Sequence, residues 1–474
     1  LISTSRPRGR HLTSVLVALA VVVASVVPLT ATAAPVAAAA PLTTADFDGR
    51  GWGHGRGMSQ YGAFGYARDL GWSKDRILDH YYGGTTAVQA STAGGVTIDP
   101  LRVRIRLMGL DGQPGTLVGT GPESTLQIDE MPDLEIPEQA RALRMLQNGD
   151  TWNVEASGTC GGPWEPIGTS PGKQVTVRRA SGTDELLTCN PNGSRVHYAG
   201  TIRAEVTDVG TRTMNITTIE EYLRGVVPNE MPSSWIAAAL QVQAVAARSY
   251  AMAGDTRHKN NDGGLYADTC DTTMCQVYKG RFTQASPSSE KTASTSSRTD
   301  AAIEATAGEV RVFTSTGSGV EGRIARTEFS STSGGWTAGG DFPAVRDEGD
   351  SISPLHTWKV ESVSLAPLNS LGTGNLTGIT VTDRNGLGAD GGRVREVQLD
   401  FDGQTAPVFV NGNTIRSRLG LRSDWFTISE VPPPSGFYDI PPTSIYEDAV
   451  VWASEEGITA GCNTEGDEFC PGND

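Results

Sequence analysis

From Ile236 to Ala253 the chain is mostly Ala, Val, Leu and Met, with Ile236, Leu240, Ala244, Ala247 and Ala251 on one helical stripe and Val242, Val245 and Ala246 off it. A helix apolar nearly all round is a buried helix. Its small side chains let neighbouring backbones approach. Its polar members Gln241, Gln243 and Arg248 need partners, because a buried polar group without a hydrogen bond costs roughly 1 to 3 kcal/mol, and they are candidates to line a pocket. Just upstream, Pro228 and Pro232 bracket Glu230. Proline disfavours helical geometry in the residue before it, so Met231 is expected to be extended, the helix to start at Pro232, and Glu230 to sit just outside. There Glu230 is either a favourable charge at a helix N-terminus or a buried general acid. The second role requires desolvation by Met231 and Trp235 to outweigh the helix dipole, which lowers a carboxyl pKa.

Other periods mark other elements. Leu101 to Leu107 alternates as LRVRIRL, a half-exposed strand. Thr201 to Val206 and Arg212 to Thr217 form a strand pair leading into the apolar helix, and Ile379 to Val381, Val394 to Phe401 and Val408 to Asn411 are closing strands. Residues 111–198, rich in Gly, Thr and Pro with short apolar runs, fit an all-β insertion. Helices are expected over Met58 to Leu70, over Ser73 to Tyr81 with Ser73 as N-cap, and over Thr299 to Ala307, followed by a strand Val310 to Phe313. Residues 281–300 are Ser, Thr and Lys rich and predict a mobile surface loop. The class is α+β with a substantial β component.

Targeting and charge narrow the setting. Arg6, Arg8 and Arg10 precede an apolar run from Leu12 to Leu29 and an Ala31-Thr32-Ala33 pattern, so residues 1–40 read as a secretory signal peptide. Without them the chain loses three arginines and no acids, and its net charge moves from −16 to −19. Such a chain repels nucleic acid and anionic lipid, and a glycan is a compatible partner. An exported protein with six cysteines defaults to disulfides, and sequence neighbours suggest Cys160 with Cys189, Cys270 with Cys275, and Cys462 with Cys470.

Two motifs carry a resemblance. The first is YLRGVVPNEMPSSWIAAALQVQAVAARSY, Tyr222 to Tyr250; the second is GWGHGRGMSQYGA within Phe47 to Thr85. Glycines at 49, 51, 53, 55 and 57 in the second argue for a tightly turned loop approached closely by other backbone. It lacks GxxxxGK[ST], so a phosphate-binding loop is excluded. Together the motifs resemble the SpoIID/LytB family of bacterial cell-wall proteins over roughly residues 47–85 and 200–428. In that family the GHG signature usually closes the domain, after a strand leading into a segment like RSRLGLRSDWFTI, found here at Arg416 to Ile428. The order looks circularly permuted, which requires residues near Phe47 to pack beside those near Ile428. On this resemblance, 41–90 and 98–430 form one SpoIID-like core with the 111–198 insertion. VPPPSG at 431–436 is a stiff linker, and residues 437–474, with a helix Ser444 to Glu456, resemble the first part of an S-layer homology (SLH) repeat, a module that docks on wall polysaccharide.

The resemblance implies a chemistry. Glu230 falls on the family's catalytic glutamate and Arg248 on an arginine the family uses, while Gln241 replaces a common lysine. One carboxyl suits a lytic transglycosylase, in which Glu230 protonates the leaving glycosidic oxygen of the peptidoglycan strand and then serves as base for the sugar's own 6-hydroxyl, giving a 1,6-anhydro product. Hydrolysis would call for a second carboxylate roughly 5 to 9.5 Å away. Arg248, Gln243, His54, Ser59 and Gln60 are the candidate substrate contacts, with His54 a loop-fixing donor rather than a catalyst. The SSTSGG element within Phe329 to Pro343 is either a cleft element or an ordinary polar loop. No cofactor is implied. Some relatives hold zinc beside the Cys270 position, but Met274 stands where their His would be, and two local cysteines fall short of four zinc ligands, so no metal is expected. Other relatives enhance N-acetylmuramoyl-L-alanine amidases, which leaves a wall-binding modifier without turnover as the alternative.

Overall fold

The computed structural model describes residues 41–90, 102–254, 258–314, 322–429 and 447–459. The signal segment, the proline linker, most of the SLH-like segment and the Cys462/Cys470 pair lie outside them.

The fold is α+β. Its helices are α1 (Gln60–Asp69), α2 (Lys74–Tyr81), α3 (Ile219–Arg224), α4 (Val227–Glu230), α5 (Ala237–Met252), α6 (Ser297–Ala305), α7 (Gly412–Leu419) and α8 (Glu447–Glu455). Ser59 and Ser73 cap α1 and α2, accepting from the N–H of Gly62 and Arg76; each cap contributes about 1 kcal/mol.

Helix α5 explains its own composition. One side, through Ala244, Ala247 and Ala251, packs into a core with the strands Arg102–Arg106 and Thr201–Thr207. The other, through Leu240, Val242, Val245 and Ala246, packs against Tyr66, Ile77 and Leu78 of α1 and α2. A helix between two cores has no solvent face, and burying each Leu or Val there contributes about 1.5–3 kcal/mol. Ile236 departs from the expected stripe: it precedes the helix and is exposed.

The 111–198 insertion is all-β, but it does not stand apart. Gln174–Ser181 and Thr125–Ile128 extend the sheet of Arg102–Arg106, Gly210–Thr218 and Thr201–Thr207. Leu186–Cys189 and Arg195–Tyr198 belong to an eight-stranded sheet that continues into Phe282–Gln284 and Thr292–Ala293. The expected loop at 281–300 is thus corrected: it carries these two short strands and the start of α6. Trp152, Val118 and Val177 of the insertion share one core with Ile105, Ile202 and Leu223.

Residues near Phe47 do pack beside those near Ile428. Thr44–Arg50 pairs antiparallel with Phe426–Ser429, with Phe47 opposite Ile428, and with Thr357–Ser364 on its other edge. Phe47 and Phe426 meet edge to face in a third core with Trp358 and Leu399. A strand, Val408–Val410, leads into the segment from Arg416 to Ile428, whose first residues belong to α7, capped by the Asn411 side chain and ended by Gly420 in the left-handed region.

Candidate active site

Glu230 ends the one-turn helix α4, and Met231 is extended at φ −126°, ψ 142°. The long helix starts only at Ala237, five residues after the expected Pro232. This shift matters electrostatically, because Glu230 is not at the N-terminus of α5 and a one-turn helix carries little dipole. Met231 and Trp235 are buried beside it. Phe64 stacks on Trp235 at 4.4 Å, and Tyr61 meets Trp235 edge-on at 5.0 Å.

Glu230 itself is half-buried. Its Oε1 accepts the Val277 N–H at 2.6 Å, and the Gln60 Nε2 donates to its backbone carbonyl at 3.0 Å and toward Oε2 at 3.4 Å. Burial pushes its pKa up to about 7, against the smaller lowering effects of the Val277 N–H and the Gln60 amide. Such a carboxyl is poised to give and take a proton near neutrality. Because Oε1 is committed to a short backbone hydrogen bond, Oε2 is the better placed to carry the acid proton.

Gln60 and Gln243, expected as substrate contacts, lie with Glu230 in a relay of hydrogen bonds. Gln60 Nε2 also donates to Gln243 Oε1 at 3.3 Å, and Gln243 is fully buried. Gln243 therefore orients Gln60 rather than reaching into a cleft.

The other three candidates lie elsewhere. Arg248 is a correction: it is fully buried and forms a two-pronged ion pair with Glu220, Nε to Oε1 at 2.9 Å and Nη2 to Oε2 at 2.7 Å, while Nη1 donates to the Glu309 carbonyl at 3.1 Å. Its partner sits on α3, away from Glu230, and no sugar reaches its enclosed guanidinium. Ser59 is buried too, donating to Asp350 Oδ1 at 2.6 Å. His54 Nδ1 accepts the Arg56 N–H at 3.0 Å, so it fixes its loop as an acceptor where a donor was expected.

Asp350 explains the hydroxyl-rich SSTSGG element. It takes hydrogen bonds from Ser59, from Thr332 Oγ1 at 2.5 Å, from the N–H groups of Ser333 and Gly334, and from His356 Nδ1 at 3.0 Å. Burial alone would raise its pKa, but these bonds, led by those from His356 and Ser59, outweigh it and hold the group ionised. Its neighbour Asp347 accepts from Tyr81 Oη and Ser333 Oγ. Burial, reinforced by the charge of Asp350, raises the Asp347 pKa to about 7. The hydroxyls thus brace the GHG segment against the 330–336 loop. No sequence period foretold these acids.

A consequence for stability follows from Asp347. A carboxyl raised from 3.8 to about 7 gives stability that is complete below pH 4 and is lost as pH rises through 7. Asp347→Asn is therefore expected to stabilise the fold at pH 8 by about 2–4 kcal/mol and to change little at pH 4, because both hydroxyl partners can reorient toward an amide. Urea unfolding at the two pH values checks this, and equal effects at both would remove Asp347 as a titrating group.

The disulfides Cys160–Cys189 and Cys270–Cys275 are formed. The second closes the turn before Gln276 and Val277. Gln276 is buried, accepts the Tyr222 hydroxyl at 2.8 Å and donates to the Ala247 carbonyl at 3.3 Å, which fixes the Val277 N–H on Glu230. His258, distant in sequence, brings its Nε2 to 3.5 Å from Cys275 Sγ, and the three side chains could offer donors within 4.8 Å of one another. With the sulfurs joined, only the imidazole remains, and a tetrahedral zinc site needs four donors. The oxidised trio does not fit that metal.

The geometry around the Tyr222–Tyr250 motif has sequence counterparts. Residues 207–313 match the SpoIID family, described as stage II sporulation protein. The matched stretch contains Glu230, Gln243, Arg248 and Val277, but not the GHG loop. Over 117 residues the chain is 36% identical to the amidase enhancer of Bacillus subtilis (strain 168), a stretch that is 24% of this chain and 12% of that protein. Over 124 residues it is 35% identical to an uncharacterized protein of Brachyspira hyodysenteriae (strain ATCC 49526 / WA1), or 26% of this chain and 28% of that one. The matched stretch thus spans under a third of either relative.

Proposed function

We propose that this protein is exported to the cell envelope and acts on peptidoglycan as a lytic transglycosylase, with Glu230 as acid and then base. The observation that carries this reading is a half-buried carboxyl with a pKa raised to about 7 and no charged neighbour contributing to its shift among the described residues. Glycoside hydrolases pair two carboxyl groups across the bond. A lone acid/base suits an intramolecular attack: Oε2 protonates the glycosidic oxygen between N-acetylmuramic acid and N-acetylglucosamine, the C–O bond breaks, and Glu230 then takes the proton of the 6-hydroxyl as that oxygen closes on the anomeric carbon. The SpoIID match is compatible with wall glycan as substrate. A second wall contact, on wall polysaccharide, would come from complete SLH repeats of the kind that residues 437–474 resemble in part, since one incomplete repeat is a poor binder by itself.

A second reading is favoured by one observation, the similarity to a protein named amidase enhancer. In it the chain binds wall glycan and stimulates an N-acetylmuramoyl-L-alanine amidase without turnover of its own; Gln241, replacing a lysine, leans that way.

Incubating the purified protein and Glu230→Gln with glycan strands, with and without stem peptides, separates the readings by mass spectrometry. The wild type is expected to generate 1,6-anhydromuramyl ends, and Glu230→Gln to lose them by at least about a thousandfold, since the variant cannot exchange the proton. Failure of the wild type on both substrates rejects the enzyme, and products that survive Glu230→Gln reject the residue. Stimulation of an added amidase without new ends establishes the second reading.

A further inference from the structure

In a chain of net charge −16, positive charge gathers at one place that the Glu230 chemistry does not use. The Gly53 N–H donates to the Arg422 carbonyl at 2.9 Å, which sets the Arg422 guanidinium 5.6 Å from the centre of the Trp52 ring. Trp52 is 47% exposed, one of few large side chains left open in an otherwise packed loop. The Arg422 guanidinium forms no ion pair or hydrogen bond with any described residue, and its Nε is buried without an acceptor among them.

Arg416 on α7 donates to Asn413 Oδ1 at 3.2 Å and has no ion-paired carboxylate among the described residues. Burial holds its pKa below the ordinary guanidinium range, and the attraction of Asp424 is opposed by Arg393 and Arg56. Those two arginines are already paired, Arg393 with Asp424 and Arg56 with Glu328. Asp424 and Glu328 are thus already engaged, and Arg416 is left without an ion pair among the described residues. His54, close enough to feel Arg56, Arg393 and Arg416, is neutral, its pKa lowered to about 4 by burial and then by Arg56. With Nδ1 accepting from Arg56, its hydrogen lies on Nε2.

We infer that Trp52 and Arg422, with the Nε2–H of His54 on the same loop, form a binding site for an acidic saccharide, its ring laid on the indole face and its carboxylate drawn to the Arg422 guanidinium. An exposed indole offers a flat apolar face beside polar donors, which suits a pyranose better than a bare anion. The choice of a saccharide leans also on the wall-glycan reading; the preference for negative charge does not.

Titration calorimetry on the full chain tests the site with three disaccharides: N-acetylglucosaminyl-N-acetylmuramic acid, digalacturonate and neutral chitobiose. An acidic disaccharide is expected to bind at least about tenfold tighter than chitobiose, as one charge-assisted contact allows, with the preference shrinking between about 20 and 200 mM salt. Arg422→Ala should abolish the preference, and Trp52→Ala should weaken the acidic ligand about tenfold. Trp52 is exposed and Arg422 half-buried, and circular dichroism verifies the fold of each variant. Whichever acidic sugar binds tighter names its source, a muramyl or a uronate polymer. Equal binding of acidic and neutral sugars, or an unchanged preference in Arg422→Ala, overturns the site. Acetate binding with the same Arg422 dependence and no effect of Trp52→Ala overturns the saccharide. Glu230→Gln should bind as the wild type does, so loss of cleavage and loss of this site stay distinguishable.

Discussion

Formation of 1,6-anhydromuramyl ends should hold steady below neutrality and fall about tenfold for each pH unit above about 7, because the first step needs a protonated acid and the Glu230 pKa stands at about 7. Gln60→Leu should carry that alkaline limb to higher pH. The Gln60 amide favours the charged carboxylate, so its removal raises the pKa further, while the loss of orientation lowers the maximal rate. A side chain with a purely structural role would lower the rate and leave the limb where it was. Glu230→Gln offers a check without substrate: a carboxyl raised from 4.5 to about 7 costs stability once ionised, so the variant should be more stable than the wild type at pH 9 by about 1–3 kcal/mol and equal to it at pH 4. Initial rates across pH and urea unfolding at two pH values measure both effects. A limb unmoved by Gln60→Leu would mean that the amide does not touch the carboxyl in solution.

How much of this was legible in the sequence differs by element, and the differences have physical causes. The buried helix was plain, because Ala, Val and Leu on every side leave no face for water, and its two-core environment is what such a composition demands. Met231 followed from Pro232 by local sterics. The start of α5 did not: Pro232 permits a helix, but the residues up to Ile236 form a turn that seats Trp235 against Phe64 and Tyr61, a tertiary gain that local propensity does not register. The short strands Phe282–Gln284, paired on both sides, and Thr292–Ala293, at the sheet's edge, were hidden in a Ser/Thr-rich run, since a strand of two or three residues needs only a neighbour's backbone and is too short to show an apolar alternation. At the site, Gln60, Gln243 and Glu230 were named in advance, yet their order in the relay was not. The Val277 N–H could not be read at all, because a backbone donor leaves no mark in side-chain identity; the only hint was Cys275, whose disulfide fixes the turn just ahead. Asp347 and Asp350 were missed for a related reason, since an isolated acid in a loop looks solvated until its burial is known.

Arg248 shows where motif and geometry part, and it yields the second large effect. Arg248→Ala should destabilise the fold by about 3–5 kcal/mol, the range for removing one partner of a buried pair. Glu220 is 27% exposed and can regain some water, which pulls the cost toward the lower end. The Glu309 and Ile303 carbonyls, which also accept from this guanidinium, lose a donor and push it upward. Replacing both charges with apolar groups of similar volume, as in Glu220→Leu with Arg248→Met, should recover most of that stability, because no ion is left buried alone. The Gly308 N–H, which now donates to Glu220 Oε1 at 3.0 Å, keeps the recovery incomplete. The double variant also decides what the motif's arginine does. If Arg248 braces α5 against α3 and the turn after α6, the double variant folds and cleaves glycan with KM close to that of the wild type. If instead the guanidinium bound substrate, the double variant would fold, as its urea midpoint would show, and still fail to cleave. That second result would return Arg248 to the active site and require an opening of the helix pair that now encloses it.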